Sequence, residues 1–191
     1  DDLLSLVTKG FRGEALASIA AISHVELKTR ETGADLGVKI SVSGGEVSDI
    51  ESVACSEGSS FSVRNLFFNV PARRNFLKSD QVELRHIVDE FQRIAMAHPD
   101  LSFRLQSNGV DLFNLRPGAL RKRVVSIFGV KHDERLVPVE EETDVVKIHG
   151  FVGKPAFARR TRGEQFLFVN GRFIKHPLMH RAIMNAYEGV L

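Results

Sequence analysis

Residues 8–30 read TKGFRGEALASIAAISHVELKTR, where Gly10 and Gly13 flank a Phe-Arg pair and a run of small apolar residues follows. The small-residue run predicts a helix, and the alternation of apolar and polar residues over His24–Arg30 predicts a strand after it. Glycine inside or beside a helix costs roughly 0.5–1 kcal/mol relative to alanine, so two glycines here require a reason. Either the chain makes a tight turn, or an anion approaches the backbone N–H groups that a helix start leaves unpaired.

Beyond this stretch, strand and helix patterns follow one another irregularly. Gly44-Gly45 and Asn108-Gly109 predict hairpin turns. Asp80 and Glu83 have capping-box spacing at the start of a helix that ends at His98-Pro99. Its apolar stripe consists of Leu84, Ile87, Val88, Phe91 and Ile94. The predicted strands are 24–30, 38–42, 61–63, 136–139, 145–152 and 165–169. Because strands and helices do not repeat regularly, the predicted fold class is α+β.

Three further features complete the prediction of elements. Past residue 118 a short helix is predicted to end at Gly129, a residue type typical of helix C-termini. A final helix opens with Pro177 in its first turn. The adjacent Phe67 and Phe68 are predicted to lie in the core.

The composition indicates a soluble globular protein. Of 191 residues, 43% are hydrophobic and 26% are charged, and no apolar run approaches the ~20 residues that cross a bilayer. Cys55 is the single cysteine, which excludes an intramolecular disulfide and a cysteine-built metal site and favours a reducing compartment. The chain opens on Asp1-Asp2 without an initiator methionine, so we expect it to be a piece of a longer protein.

The net charge of +2 is distributed unevenly. Residues 1–114 carry 12 Lys and Arg against 16 Asp and Glu, a net −4, whereas residues 115–191 carry 14 against 8, a net +6. A basic half joined to an acidic one indicates that the second half meets a polyanion, or that it simply has a solvated basic surface.

Three ordered motifs carry a family resemblance. Residues 10–19, GFRGEALASI, resemble the signature of the MutL family of DNA mismatch-repair proteins. Residues 58–77, GSSFSVRNLFFNVPARRNFL, and residues 168–173, FVNGRF, resemble the same family in the same order. The resemblance therefore extends over nearly the whole chain. Two positions depart from the family pattern: Ser59 replaces the usual threonine, and Asn75 replaces a usual lysine.

The resemblance implies an α+β fold made of two parts. Residues 1–114 would be the back part of a GHKL α/β-sandwich ATPase domain, from the ATP lid onward. Residues 115–191 would be part of a transducer domain like domain 2 of ribosomal protein S5. The water-activating glutamate and the magnesium-binding asparagine of this class lie upstream of the lid, so no catalytic residue and no metal ligand is assigned. We expect the full-length protein to be a slow ATPase and this chain alone to be inactive, without micromolar ATP affinity.

The resemblance also assigns a nucleotide site. The candidate residues are Gly10, Phe11, Arg12, Gly13, Glu14, Ala15 and Ser59. The two glycines become positions where backbone amides approach phosphates. Arg12 would either make a secondary contact to the nucleotide or anchor the lid through an ion pair. Glu14 would stabilise the turn. Ser59 keeps a hydroxyl near the adenine. ATP and Mg²⁺ are the implied cofactors of the full-length protein, with none expected on this chain alone.

A DNA site is implied in the basic half. Arg172 of the Val-Asn-Gly-Arg motif matches the arginine most associated with the family's DNA groove. The loop beside it in sequence adds Lys154, Arg159, Arg160 and Arg162. Such cations contact phosphates and do not read sequence. The exposed pair Arg73 and Arg74 either faces DNA or forms salt bridges beside a helix.

The implied function is an ATP-dependent DNA clamp that couples mismatch recognition to strand-removal enzymes. Its partners would be non-specific DNA, a mismatch-recognition protein of the MutS type and a second copy of the full-length protein, without a membrane. The expected location is the bacterial cytoplasm at the nucleoid, or the nucleus of a eukaryote. A non-catalytic DNA-binding and interaction module, and the ATPase region of a gyrase-like topoisomerase, are the alternatives.

Overall fold

The computed structural model describes residues 13–48, 50–157 and 164–189. The chain divides into two compact units, residues 1–83 and residues 84–191. The division lies within helix α3, Asp80–Ala97. The predicted domain boundary after Asn114 stays a prediction.

The first unit is built around an antiparallel sheet. Its elements are α1 (Glu14–Ala20), β1 (His24–Arg30), β2 (Gly37–Ser43), β3 (Glu46–Val47), β4 (Glu51–Val53), β5 (Gly58–Arg64) and α2 (Pro71–Arg74). The strand order is β3-β2-β1-β5, and β4 pairs with the same edge of β2. The predicted strand 24–30 is confirmed, and the strands predicted at 38–42 and 61–63 are confirmed with slightly wider bounds.

The two faces of this sheet differ in polarity because side chains alternate along each strand. Val25 lies opposite Val42 on one side and Val63 on the other, and Leu27 lies opposite Phe61. Val25 is buried, but Phe61 is 50% exposed. The other face carries serines and charged residues, among them an ion pair between Lys39 and Glu51 at 3.1 Å. One face of the sheet is therefore apolar and largely open.

The loop between β5 and α2 corrects one prediction. Phe68, expected in the core, is 41% exposed, and its ring packs on His24 with 4.3 Å between centroids. Phe67 has a positive φ of 64°, and its N–H donates to the carbonyl of Ile22 at 2.7 Å. The backbone of Phe67 thus bonds this loop to the chain just before β1, where Phe67 is half-buried and Phe68 is exposed.

Helix α3 begins at Asp80, as predicted, but its N-terminal contacts differ. The Glu83 carboxylate accepts the backbone N–H of Lys78 at 2.8 Å and does not reach the N–H of Asp80 as a capping box would. The apolar stripe is also rotated from the prediction, since Ile87 and Ile94 are exposed whereas Ala95 and Met96 are buried. The neighbouring strands, which the stripe alone does not specify, decide which face is covered.

The second unit combines two-stranded hairpins with helices. After α3, its elements are β6 (Phe103–Ser107), β7 (Val110–Leu115), α4 (Leu120–Phe128), a 3-10 turn (Val130–Arg135), β8 (Leu136–Glu142), β9 (Lys147–Gly153), a 3-10 turn (Pro155–Phe157), β10 (Leu167–Val169), β11 (Arg172–Ile174) and α5 (Pro177–Ala186). The pairs β6–β7, β8–β9 and β10–β11 are antiparallel hairpins. The turn at Asn108-Gly109, the end of α4 before Gly129 and Pro177 in the first turn of α5 are confirmed.

Two strand starts lie later than predicted. The strand predicted from Val145 begins at Lys147, because the Thr143 hydroxyl accepts the backbone N–H of Val146 at 3.0 Å and holds the chain in a turn. The strand predicted from Gln165 begins at Leu167. The Gln165 side chain instead bonds His180 of α5, with 2.6 Å between the amide oxygen and Nδ1.

Aromatic rings and one arginine organise the interior of the second unit. Phe91 of α3 stacks on Phe113 of β7 with 5.3 Å between centroids. Arg123 of α4 is 2% exposed, and its Nη2 lies 3.0 Å from the carbonyl oxygen of Pro99 and 3.2 Å from that of Arg116. It also bonds the carbonyl of Leu101. Arg123 thereby joins the loop after α3 to the segment between β7 and α4.

Candidate functional site

The N-terminus of α1 has an uncapped backbone. Gly13 has φ 66° and ψ 7°, the left-handed conformation, and no side chain caps the helix. A Cβ at Gly13 would meet no atom within 4 Å, so the glycine is required by its φ and not by crowding. Gly13, Glu14 and Ala15 are all exposed. The left-handed conformation of Gly13 is one that a tight turn uses. Gly10, Phe11 and Arg12 lie outside the described residues.

The end of α1 is joined to the second motif by hydrogen bonds. The Asn69 amide donates to the carbonyl of Ala21 at 2.9 Å, and the buried Ser23 hydroxyl donates to the carbonyl of Ile19 at 2.6 Å. Asn69 therefore helps to orient α1 relative to β1. This contact was not predicted. The position of Asn69 before a Val-Pro turn is the signal that could have indicated a polar anchor.

Ser59 lies beside the opposite end of β1. Its hydroxyl shares a 2.8 Å hydrogen bond with that of Thr29 on the neighbouring strand. These two residues line an open cavity of about 570 Å³ together with Arg30, Leu36 and Gly58. The cavity is within the size range of small-ligand sites. Thr29 was missed from the sequence, because only the register of β1 with β5 places it opposite Ser59.

The two parts of the predicted nucleotide site meet strand β1 at different positions. The segment after α1 enters β1 at His24, and Ser59 pairs with Thr29, five residues further along. That separation corresponds to roughly 17 Å along an extended strand. No contact among the described residues brings Gly13–Ala15 together with Ser59.

Arg73 and Arg74 occupy the short helix α2. Both are exposed, and the described residues provide neither of them with an ion-pair partner. Pro71 fixes the first turn of α2, and Asn75 follows its last residue. The salt-bridge interpretation of the pair therefore finds no partner in the described part of the chain, and both guanidinium groups are accessible.

Arg172 begins strand β11 directly after the Asn170-Gly171 turn. Asn170 and Gly171 have φ values of 50° and 71°, as a type I′ hairpin requires. Arg172 pairs with Val169 and is half-buried.

Lys154 lies at the end of β9. Its side chain is exposed, and its backbone N–H donates to the carbonyl of Arg135 at 2.8 Å. The hydroxyl of Tyr187, just after α5, donates to the carbonyl of Gly153 at 2.6 Å. Tyr187 therefore ties the helix that follows β11 to the residue before Lys154. Arg159, Arg160 and Arg162 lie outside the described residues.

The shifted pKa values lie away from both candidate sites. Lys28 lowers the pKa of the Glu26 carboxyl through a hydrogen bond. The Arg104 guanidinium likewise lowers the pKa of Asp111, which it contacts at 2.8 and 2.9 Å. Burial lowers the pKa of Arg123, an effect opposed by Asp100. Within the described ranges, no three His, Cys, Asp or Glu side chains converge as metal ligands would. Among the described helices, none is both long and apolar enough to span a bilayer.

Comparison with known sequences identifies close relatives. The chain is 57% identical over all 191 residues to the DNA mismatch repair protein MutL of Flavobacterium psychrophilum and 58% identical to that of Christiangramia forsetii. It spans 31% of the length of each. The family described as DNA mismatch repair protein, C-terminal domain, matches residues 124–191.

Solved structures share the fold. The Aquifex aeolicus MutL ATPase domain complexed with ADP is 27% identical with a TM-score of 0.76, over 96% of this chain and 69% of that one. The N-terminal domain of a DNA repair protein superposes with a TM-score of 0.81 at 20% identity, over all of this chain and 62% of that one. The α+β class with an ATPase-domain-like part and an S5 domain 2-like part is thereby confirmed. The chain belongs to the MutL family of DNA mismatch repair proteins and corresponds to one region of these proteins.

Proposed function

We propose that this region supplies part of the nucleotide site and part of the DNA-binding surface of an ATP-dependent clamp that acts in mismatch repair. The similar Aquifex aeolicus domain was solved with ADP, which supports a nucleotide as ligand. ATP with Mg²⁺ is the proposed cofactor of the full-length protein. Its partners would be DNA, a mismatch-recognition protein of the MutS type and a second copy of the full-length protein. The bacterial relatives favour a cytoplasmic location.

The described residues fit a nucleotide in two respects. The uncapped amides after Gly13 suit phosphate oxygens, because a helix start presents unpaired donors and positive potential. The Thr29–Ser59 hydroxyl pair can donate to and accept from a base at the edge of its cavity. Bound nucleotide would supply the free energy for closing the clamp. The contribution of these residues would be to bind and orient it.

The DNA-binding proposal depends on the position of Arg172 at the start of β11. A cation at the start of the second strand of a short hairpin, in the half of the chain that carries a net charge of +6, suits a phosphate. Exposed Lys154, Arg73 and Arg74 would add cations that contact DNA without reading its sequence. We propose Arg159, Arg160 and Arg162 for the same interaction.

The test measures binding of full-length protein to random-sequence duplex and single-stranded DNA by fluorescence anisotropy over a salt series. Arg172→Gln should weaken both and lower the log–log salt slope by about one, since one phosphate contact is lost. Arg172→Glu should weaken them further by repulsion. Because Arg172 is half-buried, charge reversal should also lower the melting temperature, so the Gln variant is the cleaner comparison.

Lys131→Gln is the matched control, since Lys131 is an exposed cation of the same half outside the motifs. It should leave affinity nearly unchanged. Equal losses in the Arg172 and Lys131 variants would refute a localised site and indicate that the basic half acts through its diffuse field alone.

A further inference from the structure

We propose that Arg93 of α3 is a positioning residue for the β10–β11 hairpin that carries Arg172. The Arg93 guanidinium carbon lies 4.5 Å from the centroid of the Phe173 ring. Its Nη1 donates to the carboxylate of Glu90, one turn earlier in α3. The Arg93 side chain is only 19% exposed. This inference rests on the proposed DNA-binding function.

The alternation of the strand explains why a contact to Phe173 matters for Arg172. The two residues are neighbours in β11, so their side chains leave opposite faces of the hairpin. The Phe173 ring lies 5.9 Å from that of Phe168, its cross-strand partner, and 6.1 Å from that of Phe166. Arg93 adds a contact from a different element. The face that bears Phe173 is thus anchored, and Arg172 is presented from the other.

The hairpin needs such an anchor because its own pairing is short. Each strand has three residues, and the pair forms a separate two-stranded sheet. Isolated two-stranded hairpins are marginally stable in water. Helix α3, in contrast, has 18 residues and packs through Phe91 on Phe103 and Phe113. A contact from α3 to Phe173 therefore stabilises the short β10–β11 hairpin by packing it against a long helix.

An anchored hairpin should bind phosphate more tightly than a mobile one, since ordering it on binding would reduce affinity. The affinity gained cannot exceed the stabilisation that the anchor provides. Arginine is suited to this contact because its planar guanidinium stacks on a ring while donating in its own plane to a carboxylate. Lysine keeps the charge but not that geometry.

The experiment uses Arg93→Lys in the full-length protein, with Arg85→Lys as control, since Arg85 is an exposed arginine of the same helix. Anisotropy with random-sequence duplex DNA should show about two- to fivefold weaker binding for Arg93→Lys at an unchanged salt slope, because no phosphate contact is removed. Deuterium exchange of residues 167–174 in the DNA-free protein should be faster than in the control. Phe173→Leu should have similar effects, and the double variant should lose less than the sum.

The outcomes separate this inference from the proposed function. Unchanged deuterium exchange in Arg93→Lys overturns the anchor, whatever the DNA result. A salt slope lowered by about one shows that Arg93 itself contacts phosphate and overturns the positioning assignment. Unchanged affinity in Arg93→Lys, while Arg172→Gln binds weakly, overturns the inference but leaves the DNA site intact. Normal binding by Arg172→Gln refutes the DNA site, and the inference with it.

Discussion

At the scale of the residue, Gly13 shows how one dihedral angle bears on two interpretations. Its φ of 66° accounts for glycine without any ligand, since a Cβ in that conformation is strained by about 1–2 kcal/mol. The open space around Gly13 and the uncapped helix start nevertheless leave room for an anion. A substitution at Gly13 that tolerates the left-handed φ but adds a side chain can separate the conformational role of the glycine from a role in ligand binding.

We predict that Gly13→Ala destabilises the full-length protein by about 1 kcal/mol and Gly13→Asn by less, because asparagine tolerates the left-handed region. Both variants should bind a nonhydrolysable ATP analogue about tenfold more weakly, since either side chain hinders a charged hydrogen-bond partner of the backbone. Thermal melting and calorimetric titration provide the two measurements. Wild-type nucleotide affinity in Gly13→Asn would show that the glycine serves the turn alone.

At the scale of the element, a salt bridge links the two strands of the β6–β7 hairpin. Arg104 of β6 contacts both carboxylate oxygens of Asp111 of β7. Because the pKa of Asp111 is lowered in the folded state, its contribution to stability is complete above the ordinary carboxyl pKa of about 4. That contribution is lost as the pH falls through the lowered pKa.

We therefore expect Asp111 to make a contribution to the free energy of unfolding that is lost in acid. Urea midpoints measured from pH 7 to pH 3 should fall less steeply for Asp111→Asn than for the unaltered chain. Arg104→Gln should flatten the profile in the same way, since it removes the cation that lowers the pKa. Both side chains are substantially exposed, so added salt should shrink the difference. Identical acid slopes in all three proteins would contradict this account.

At the scale of the whole molecule, Arg123 connects segments that lie on both sides of the predicted domain boundary after Asn114. It reaches carbonyls of Pro99 and Leu101 before that point and of Arg116 after it. All of these residues belong to the second compact unit. Removing the guanidinium would leave these three carbonyls without their donor.

Arg123→Met should therefore lower the free energy of unfolding by about 2 kcal/mol, because a charged donor is removed from three part-buried acceptors. Lys122→Met on the neighbouring, exposed position should change it by no more than about 0.5 kcal/mol. Urea denaturation of both variants under the same conditions is the measurement. A loss for Arg123→Met no larger than that of the control would show that water replaces the guanidinium at these carbonyls.

The sequence predicts features whose cause is local. The turns at Gly44-Gly45 and Asn108-Gly109, the end of α4 at Gly129 and the start of α5 at Pro177 follow from the φ preferences of these residues. The three family motifs likewise sufficed to predict the family and the α+β class.

Features that depend on distant partners were not predictable in this way. The covered face of α3 depends on strands that follow it, and Phe68 lies outside the core because the backbone of Phe67 bonds Ile22. The pairing of Thr29 with Ser59 requires the register of two strands 30 positions apart. Arg123 appears in sequence as one of three successive cations in α4, and only packing distinguishes it from its neighbours.

The open apolar face of the sheet in the first unit has a consequence for handling the chain in solution. Val38 of β2 and Phe61 and Val63 of β5 lie on that face, on the two strands that flank β1, and all three are substantially exposed. Contiguous apolar surface of this kind promotes self-association and binds hydrophobic dyes. The 191-residue chain by itself should therefore scatter light at moderate concentration and enhance the fluorescence of such a dye. We expect this face to affect the solubility of the chain more than its net charge of +2 does.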